Sequence, residues 1–166
     1  MRKILRIYVH TSASATLLGK VLYPSVDSIR NYHKSKGWSD IGYHYLVNRD
    51  GSVSQGRPET VPGAGVLGDN ANTIHVCVAG HGDKQDFLPE QKVGLIHLLT
   101  VLLRRYGIVD RFKSNPMTIL GHREVNELIK VGVVAKRFST PKSCPGRKVD
   151  MRALRISVSR ALGEQT

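Results

Sequence analysis

The sequence predicts an α/β fold, a single domain with a central mixed β-sheet flanked by helices. Short apolar segments with strand-like alternation are interspersed with longer segments of helical periodicity, which is typical of this class. The chain has 166 residues, and one hydrophobic core commonly serves about 100–200 residues. No internal repeat and no linker-like stretch divides it. We therefore expect residues 1–166 to form one domain.

Two of the predicted strands end on a histidine. Residues 4–10 alternate like a strand and deliver His10 where the chain becomes polar. The segment 116–122, "PMTILGH", is a short apolar strand that ends on His122. The stretch 73–80, "TIHVCVAG", is mostly apolar and is expected to be a central strand. Histidines at the ends of neighbouring strands can converge on one cleft.

A β-hairpin is the clearest local pattern. Strands 43–48 and 52–55 are joined by "RDG", whose glycine suits the positive φ of such a turn. Alternation in the first strand then places Tyr43 and Tyr45 on one face, and His44 on the other, where we expect a structural role.

Three helices are predicted, over residues 24–36, 89–106 and 149–162. In the second, Pro89 suits the first turn, leucines form a broad apolar stripe, and Gly107 follows the end. The third is amphipathic and basic, so it can pack on the sheet or engage an anionic lipid surface.

The chain carries a strong positive charge. Its 25 Lys and Arg residues exceed its 13 Asp and Glu residues, which leaves a formal charge of +12. Such a field raises the rate of encounter with polyanions, among them nucleic acid, anionic lipid and bacterial envelope polymers. No arginine-rich tract and no interleaving of basic and aromatic residues marks a nucleic-acid module, so we expect no specific nucleic-acid partner.

The N-terminal segment does not resemble a signal peptide. Arg6 interrupts its short apolar stretch, which alternates like a strand. No apolar run approaches the roughly 18 residues of a membrane span. We expect a soluble product of the cytoplasm, where Cys77 and Cys144 stay free thiols.

Three residues form a candidate metal site: His10, His122 and Cys144. Cys144 lies in the rigid segment "TPKSCPG", residues 140–146, whose prolines limit the entropy lost when the thiol is fixed. Two imidazoles and a thiolate suit zinc, and catalytic zinc sites use three protein ligands with a fourth position for water. Structural zinc sites use closely spaced ligand pairs, which this chain lacks.

Five segments in order, "YVHTSAS", "GYHYLVNRDGSVSQGR", "GDNANTIHVCVAG", "ILGHREV" and "PKSCPG", resemble the zinc-dependent N-acetylmuramoyl-L-alanine amidases of type 2. This family includes the amidase-type lysozymes of short-tailed coliphages and the peptidoglycan recognition proteins of animals. The resemblance covers residues 7 to 150 approximately. It implies the fold of that family and cleavage of the amide between N-acetylmuramic acid and L-alanine in peptidoglycan.

The resemblance also assigns roles to five residues. It makes His10, His122 and Cys144 the ligands of one Zn²⁺ per chain, and Tyr43 and Lys142 the catalytic side chains. Zinc in such hydrolases lowers the pKa of its bound water towards about 7. Lys142 is expected to stabilise the tetrahedral oxyanion. Tyr43 would hydrogen-bond either the attacking water or the oxyanion.

The chain departs from the family at several positions. Gly65 stands where the phage enzymes commonly have a histidine, and His75 stands where they have glycine, so whether His75 replaces the lost imidazole is open. The interval from His122 to Cys144 is longer than in the coliphage lysozymes, and we expect an added loop or helical turn there. Glu124 is either a proton carrier or an acid in the first turn of a helix.

The resemblance indicates a phage endolysin for Gram-negative hosts. We expect synthesis in the host cytoplasm, holin-type release, and action on peptidoglycan in the periplasm as a monomer. A recycling amidase is the close alternative, although such enzymes usually have aspartate as the third ligand. A non-catalytic peptidoglycan-binding module is another, against which the intact ligand set argues. Further partners implied are a phage RNA polymerase, which some relatives inhibit, and anionic outer-membrane lipid.

Overall fold

A mixed five-stranded sheet forms the centre of the computed structural model, which describes residues 2–163. The strands, in chain order, are β1 (Arg6–Thr11), β2 (Thr16–Leu17), β3 (Lys20–Val21), β4 (Tyr45–Val47), β5 (Val53–Gln55), β6 (Thr73–Val78) and β7 (Ile119–Gly121). The sheet order is β5-β4-β6-β1-β7. Within this sheet β4 and β5 pair antiparallel, and the other neighbours run parallel. Strands β2 and β3 form a separate antiparallel pair. The predicted mixed sheet is therefore present.

In the part of the chain that the structure describes, five α-helices accompany the sheet: α1 (Val26–Ser35), α2 (Pro89–Arg105), α3 (Val109–Ser114), α4 (Val125–Lys130) and α5 (Met151–Gly163). The three predicted helices correspond to α1, α2 and α5, with ends that agree to within about two residues. Ser25 caps α1 by accepting a hydrogen bond from the Ser28 backbone N–H. Within residues 2–163, no helix combines the length and the hydropathy that crossing a membrane requires.

The two faces of the sheet have different surroundings because side chains alternate along each strand. On one face, Ile7, Val9, Ile74 and Val76 join the apolar sides of α2 and α5 in the main hydrophobic core. Burial of each large aliphatic side chain there contributes about 1.5–3 kcal/mol. On the opposite face, the alternate residues of β1 and β6 are largely polar: Arg6, Tyr8, His10, Thr73, His75 and Cys77. This polar face carries the candidate site.

The expected alternation around Tyr43 is wrong. The strand β4 begins only at Tyr45, and Tyr43 packs with Leu46 in one cluster while Tyr45 packs against the main core on the other face. The backbone before β4 is not regular strand, so the period of two does not extend to Tyr43. As a result, Tyr43 and its neighbour His44 both contact histidines of the polar face.

The interval between His122 and Cys144 contains helical structure of its own, and its being an addition relative to the coliphage lysozymes stays a prediction. It holds α4 and a turn of 3₁₀ helix over Lys136–Phe138. Val125, Leu128, Val134 and Phe138 pack with Tyr8 in a small cluster on the polar side of the sheet. This segment therefore packs on the same face of the sheet as the candidate site.

Candidate active site

The fold brings the three predicted ligand residues to one edge of the sheet. His10 lies near the end of β1, and His122 directly follows β7. These strands are parallel neighbours, so their carboxyl ends meet at the same edge. Cys144 comes from the loop before α5, where its carbonyl accepts a hydrogen bond of 2.7 Å from the Arg123 backbone N–H.

The geometry suits a small cation. One ligand atom from each of His10, His122 and Cys144 lies within 4.8 Å of the other two. The Cys144 Sγ is 3.7 Å from His10 Nδ1, and a tetrahedral zinc ion with ordinary bond lengths separates such S and N atoms by about 3.5 Å. The donor set is one that zinc prefers, and the S–N pair is already close to the separation that zinc requires.

Burial sets the protonation of the three side chains. It lowers the pKa of His10 well below the ordinary value, helped by nearby imidazoles and by Lys142, and it lowers the pKa of His122 to about 4. Both imidazoles are therefore neutral at pH 7 and can act as ligands. Burial also raises the pKa of the Cys144 thiol to about 11, partly opposed by a Thr11 backbone hydrogen bond and the Lys142 charge. A bound cation would favour the thiolate.

Tyr43 and Lys142 both lie close to the three predicted ligand residues. The Tyr43 ring centroid is 5.0 Å from that of His10, and burial holds the pKa of its phenol well above the usual value, so it remains a donor. Lys142 is exposed, and its positive charge lowers the pKa of both ligand histidines.

Two clefts lead to these side chains and share Ala13. One has a volume of 190 Å³ and is lined by Lys142 and Cys144, and the other has 800 Å³ and is lined by Tyr43. Together they give substrate access to both predicted catalytic side chains.

Glu124 forms an ion pair and a backbone hydrogen bond next to His122. Its carboxylate accepts hydrogen bonds of 2.9 and 3.0 Å from the Arg155 guanidinium and one of 2.7 Å from the Gly121 backbone N–H. Of the two roles considered from the sequence, this geometry favours the structural one. The ion pair attaches the turn that carries His122 to helix α5.

Arg123 and His75 complete the site, and neither had a role assigned from the sequence. The Arg123 guanidinium donates to the carbonyls of Ser143, Gly146 and Val149 and so holds the loop that carries Cys144. No sequence signal separates Arg123 from the many surface arginines. His75 lies beside His10, with its Nδ1 3.0 Å from His10 Nε2. Its position on the strand β6 is compatible with this contact, but the sequence alone does not predict it.

The comparison with known families now identifies the class. A family model described as N-acetylmuramoyl-L-alanine amidase matches residues 1–147. The chain therefore belongs to the N-acetylmuramoyl-L-alanine amidase family, and the predicted family and enzyme class are confirmed.

Individual relatives agree with this membership. The endolysin of Escherichia phage T7 is 39% identical over 145 residues, which are 84% of this chain and 78% of that protein. The endolysin of Enterobacteria phage K11 is 30% identical over 145 residues, 84% of this chain and 79% of that protein.

Solved structures confirm the predicted fold. The N-acetylmuramoyl-L-alanine amidase LysC from Clostridium intestinale superposes with a TM-score of 0.72 at 24% identity, covering 95% of this chain and 86% of that one. Drosophila peptidoglycan recognition protein LB superposes with a TM-score of 0.66 at 19% identity, covering 89% and 78%.

Proposed function

We propose that this protein is a phage endolysin whose single catalytic domain hydrolyses the amide between N-acetylmuramic acid and L-alanine through a site built on His10, His122 and Cys144. The observation that carries the proposal is the convergence of these three side chains between Tyr43 and Lys142, in a chain that belongs to the amidase family. The endolysin relatives support the role in host lysis.

The metal that the three ligands would hold is zinc. When bound, it would supply a Lewis acid that activates water at neutral pH and polarises the scissile carbonyl. His10 would contribute Nδ1, which faces the thiol, and the Cys144 thiolate would cancel one positive charge. Three protein ligands leave a coordination position for reaction, as in other catalytic zinc sites.

The remaining chemistry falls to Lys142 and Tyr43. The Lys142 ammonium stabilises the oxyanion that forms when the amide carbonyl becomes tetrahedral, a contribution of about 2.7–4 kcal/mol per donor in other hydrolases. The Tyr43 phenol keeps its proton and donates a hydrogen bond to the attacking water or to that oxyanion. Each of the two side chains lines one of the clefts described above.

The alternatives remain distinguishable. A cell-wall recycling amidase shares the fold, but cysteine as the third ligand favours the endolysin. A non-catalytic peptidoglycan-binding module needs no complete ligand set, and this chain keeps all three residues in reach of one cation.

The cellular context belongs to the same proposal. The enzyme is synthesised in the host cytoplasm, passes through holin-type pores and acts as a monomer on periplasmic peptidoglycan. Binding to a phage RNA polymerase or to anionic outer-membrane lipid stays a prediction, tested by co-purification and by vesicle binding. The apolar stripe of α5 lies in the main core, so its exposed side, which is basic apart from Ile156, is what remains for a lipid surface.

The first experiment measures zinc content and the release of L-alanine amines from purified peptidoglycan. We expect one zinc per chain and new amines for the wild type, and loss of both in Cys144→Ser. Cys77→Ser is the matched control, because Cys77 is a buried thiol outside the ligand set. A folded wild type that binds the sacculus without metal and without releasing amines would replace the enzyme by a binding module.

A further inference from the structure

His75 is a fully buried imidazole held on both faces and on both nitrogens. Its ring lies between those of Tyr8 and His44, with centroid distances of 5.6 and 5.8 Å and an interplanar angle of 9° in each case. Its Nδ1 is 3.0 Å from His10 Nε2, and its Nε2 is 3.0 Å from the Thr73 hydroxyl. These ring contacts and hydrogen bonds fix the orientation of the His75 ring.

The hydrogen bonds around His75 have only one consistent direction. The Thr73 hydroxyl donates to the Asp69 carbonyl at 2.7 Å, since a carbonyl can only accept. Its oxygen is then the acceptor for His75 Nε2–H. A neutral imidazole carries one proton, so His75 Nδ1 must accept, and the donor to it is His10 Nε2–H.

This direction of hydrogen bonding determines which nitrogen of His10 is free to bind a metal ion. With its proton on Nε2, neutral His10 has a free lone pair on Nδ1, the atom that faces Cys144 Sγ. A backbone carbonyl three links away therefore selects the tautomer that can bind a metal ion. Partners of this kind on the second nitrogen are a common feature of metal-binding histidines.

We propose that His75 is a positioning residue that fixes the ring and the tautomer of His10 for metal binding, with Thr73 as its support. The inference rests on the metal site of the proposed function. It adds to that site two residues, His75 and Thr73, that would not bind the metal ion themselves.

The glycine at position 65 is part of the same arrangement. A Cβ at Gly65 would lie 2.5 Å from His75 Nδ1 and 2.9 Å from His10 Nε2. Neither distance is tolerable for a methyl group, so the imidazole pair occupies the space that any larger residue in the loop would take. The positions of Gly65 and His75 are therefore coupled.

The test compares four variants of the full chain. His75→Phe keeps a ring between Tyr8 and His44 but removes the acceptor, and His75→Gln keeps an acceptor and a donor. Thr73→Val keeps the shape of the support without its hydroxyl. Cys77→Ala is the control, because Cys77 lies on the same strand and pairs with His10 in register without a side-chain hydrogen bond to it.

Two readouts separate positioning from mere stability. Zinc affinity, measured by competition with a chromogenic chelator, should fall about 10- to 100-fold in His75→Phe, recover substantially in His75→Gln, and stay unchanged in Cys77→Ala. Long-range ¹H–¹⁵N correlation spectra of metal-free protein should show His10 protonated on Nε2 in the wild type, with the Nδ1–H form appearing in Thr73→Val. Circular dichroism verifies that each variant is folded.

The outcomes are distinct. Folded His75→Phe with zinc affinity within threefold of the wild type, or wild-type His10 protonated on Nδ1, would overturn the inference. A wild type that binds no zinc, with His10 protonated on Nε2, would instead contradict the proposed metal site.

Discussion

Replacing Glu124 by glutamine tests whether this residue supports the site or carries a proton. Its carboxylate makes a bidentate ion pair with Arg155, and the two side chains are 18% and 15% exposed. Glutamine keeps an acceptor for the Gly121 N–H but loses the charge. We therefore expect lower stability and nearly unchanged turnover in Glu124→Gln.

The size of the effect follows from the geometry. A hydrogen bond to a charged group contributes about 1.5–3 kcal/mol, and partial exposure screens this pair, so we take about 2 kcal/mol for the exchange of carboxylate for amide. For a chain of this length, 1 kcal/mol corresponds to about 2–4 °C in Tm. The expected decrease is about 4–8 °C, with kcat and zinc affinity within about threefold of the wild type.

Thermal unfolding followed by circular dichroism and the amine-release assay measure the two quantities. Glu127→Gln is the control: its ion pair with Lys130 on α4 is 53% and 68% exposed, and exposed pairs contribute little. A Glu124→Gln protein with unchanged Tm and a hundredfold lower kcat would refute the structural role and make Glu124 the proton carrier.

Three further predictions follow from the site. Lys142→Met should lower kcat about 10²- to 10³-fold through loss of one oxyanion donor, with the zinc content unchanged. Lys148→Met, on the same loop, is the control and should keep the kcat of the wild type. Equal kcat values of the two variants would contradict the role of Lys142. Gly65→Ala should lower the free energy of unfolding by about 1–3 kcal/mol through overpacking and weaken zinc binding. Gly163→Ala should do neither, because within residues 2–163 a Cβ there would meet no atom closer than 4 Å beyond its chain neighbours and its own helix backbone. Burial lowers the pKa of His44 to about 4, below its unfolded value of about 6.5, so the unfolded chain binds the proton first as the pH falls. The stability of chelator-treated protein should therefore decrease between about pH 7 and pH 4, by about 2 kcal/mol at pH 5 from this residue alone, and a flat Tm over that range would contradict its buried neutral state.

The elements predicted correctly are those with strong local signals. Helix α2 has a proline at its first position and a stripe of leucines, and the β4–β5 hairpin has glycine at its turn. The β2–β3 hairpin was missed because its two-residue turn has glycine only at the second position, Gly19. The first position holds Leu18, with φ of 49° at 94% exposure, where such turns favour glycine, asparagine or aspartate. Helix α3 was missed because its six residues place a single side chain, Phe112, in the core.

The candidate site shows the same division. The family motifs supplied His10, His122 and Cys144, and the parallel pairing of β1 and β7 explains why the two histidines meet. Arg123 and His75 could not be assigned from the sequence. Their roles depend on distances between segments far apart in the chain, for which neither residue type nor spacing gives a local signal.

Gly65 and His75 illustrate why such departures need a structure. In the sequence they are two separate departures from the pattern that the family resemblance implies, a glycine in a loop and a histidine in a strand. In the fold, the Cβ position of Gly65 lies against the His75 ring, so the strand can supply this imidazole only if the loop supplies none. The two departures are therefore coupled in space, because the volume that a side chain at position 65 would need is taken by an imidazole whose Nδ1 is 3.0 Å from His10 Nε2. A strand residue with both faces packed is also more rigid than a loop residue, which favours a fixed ligand.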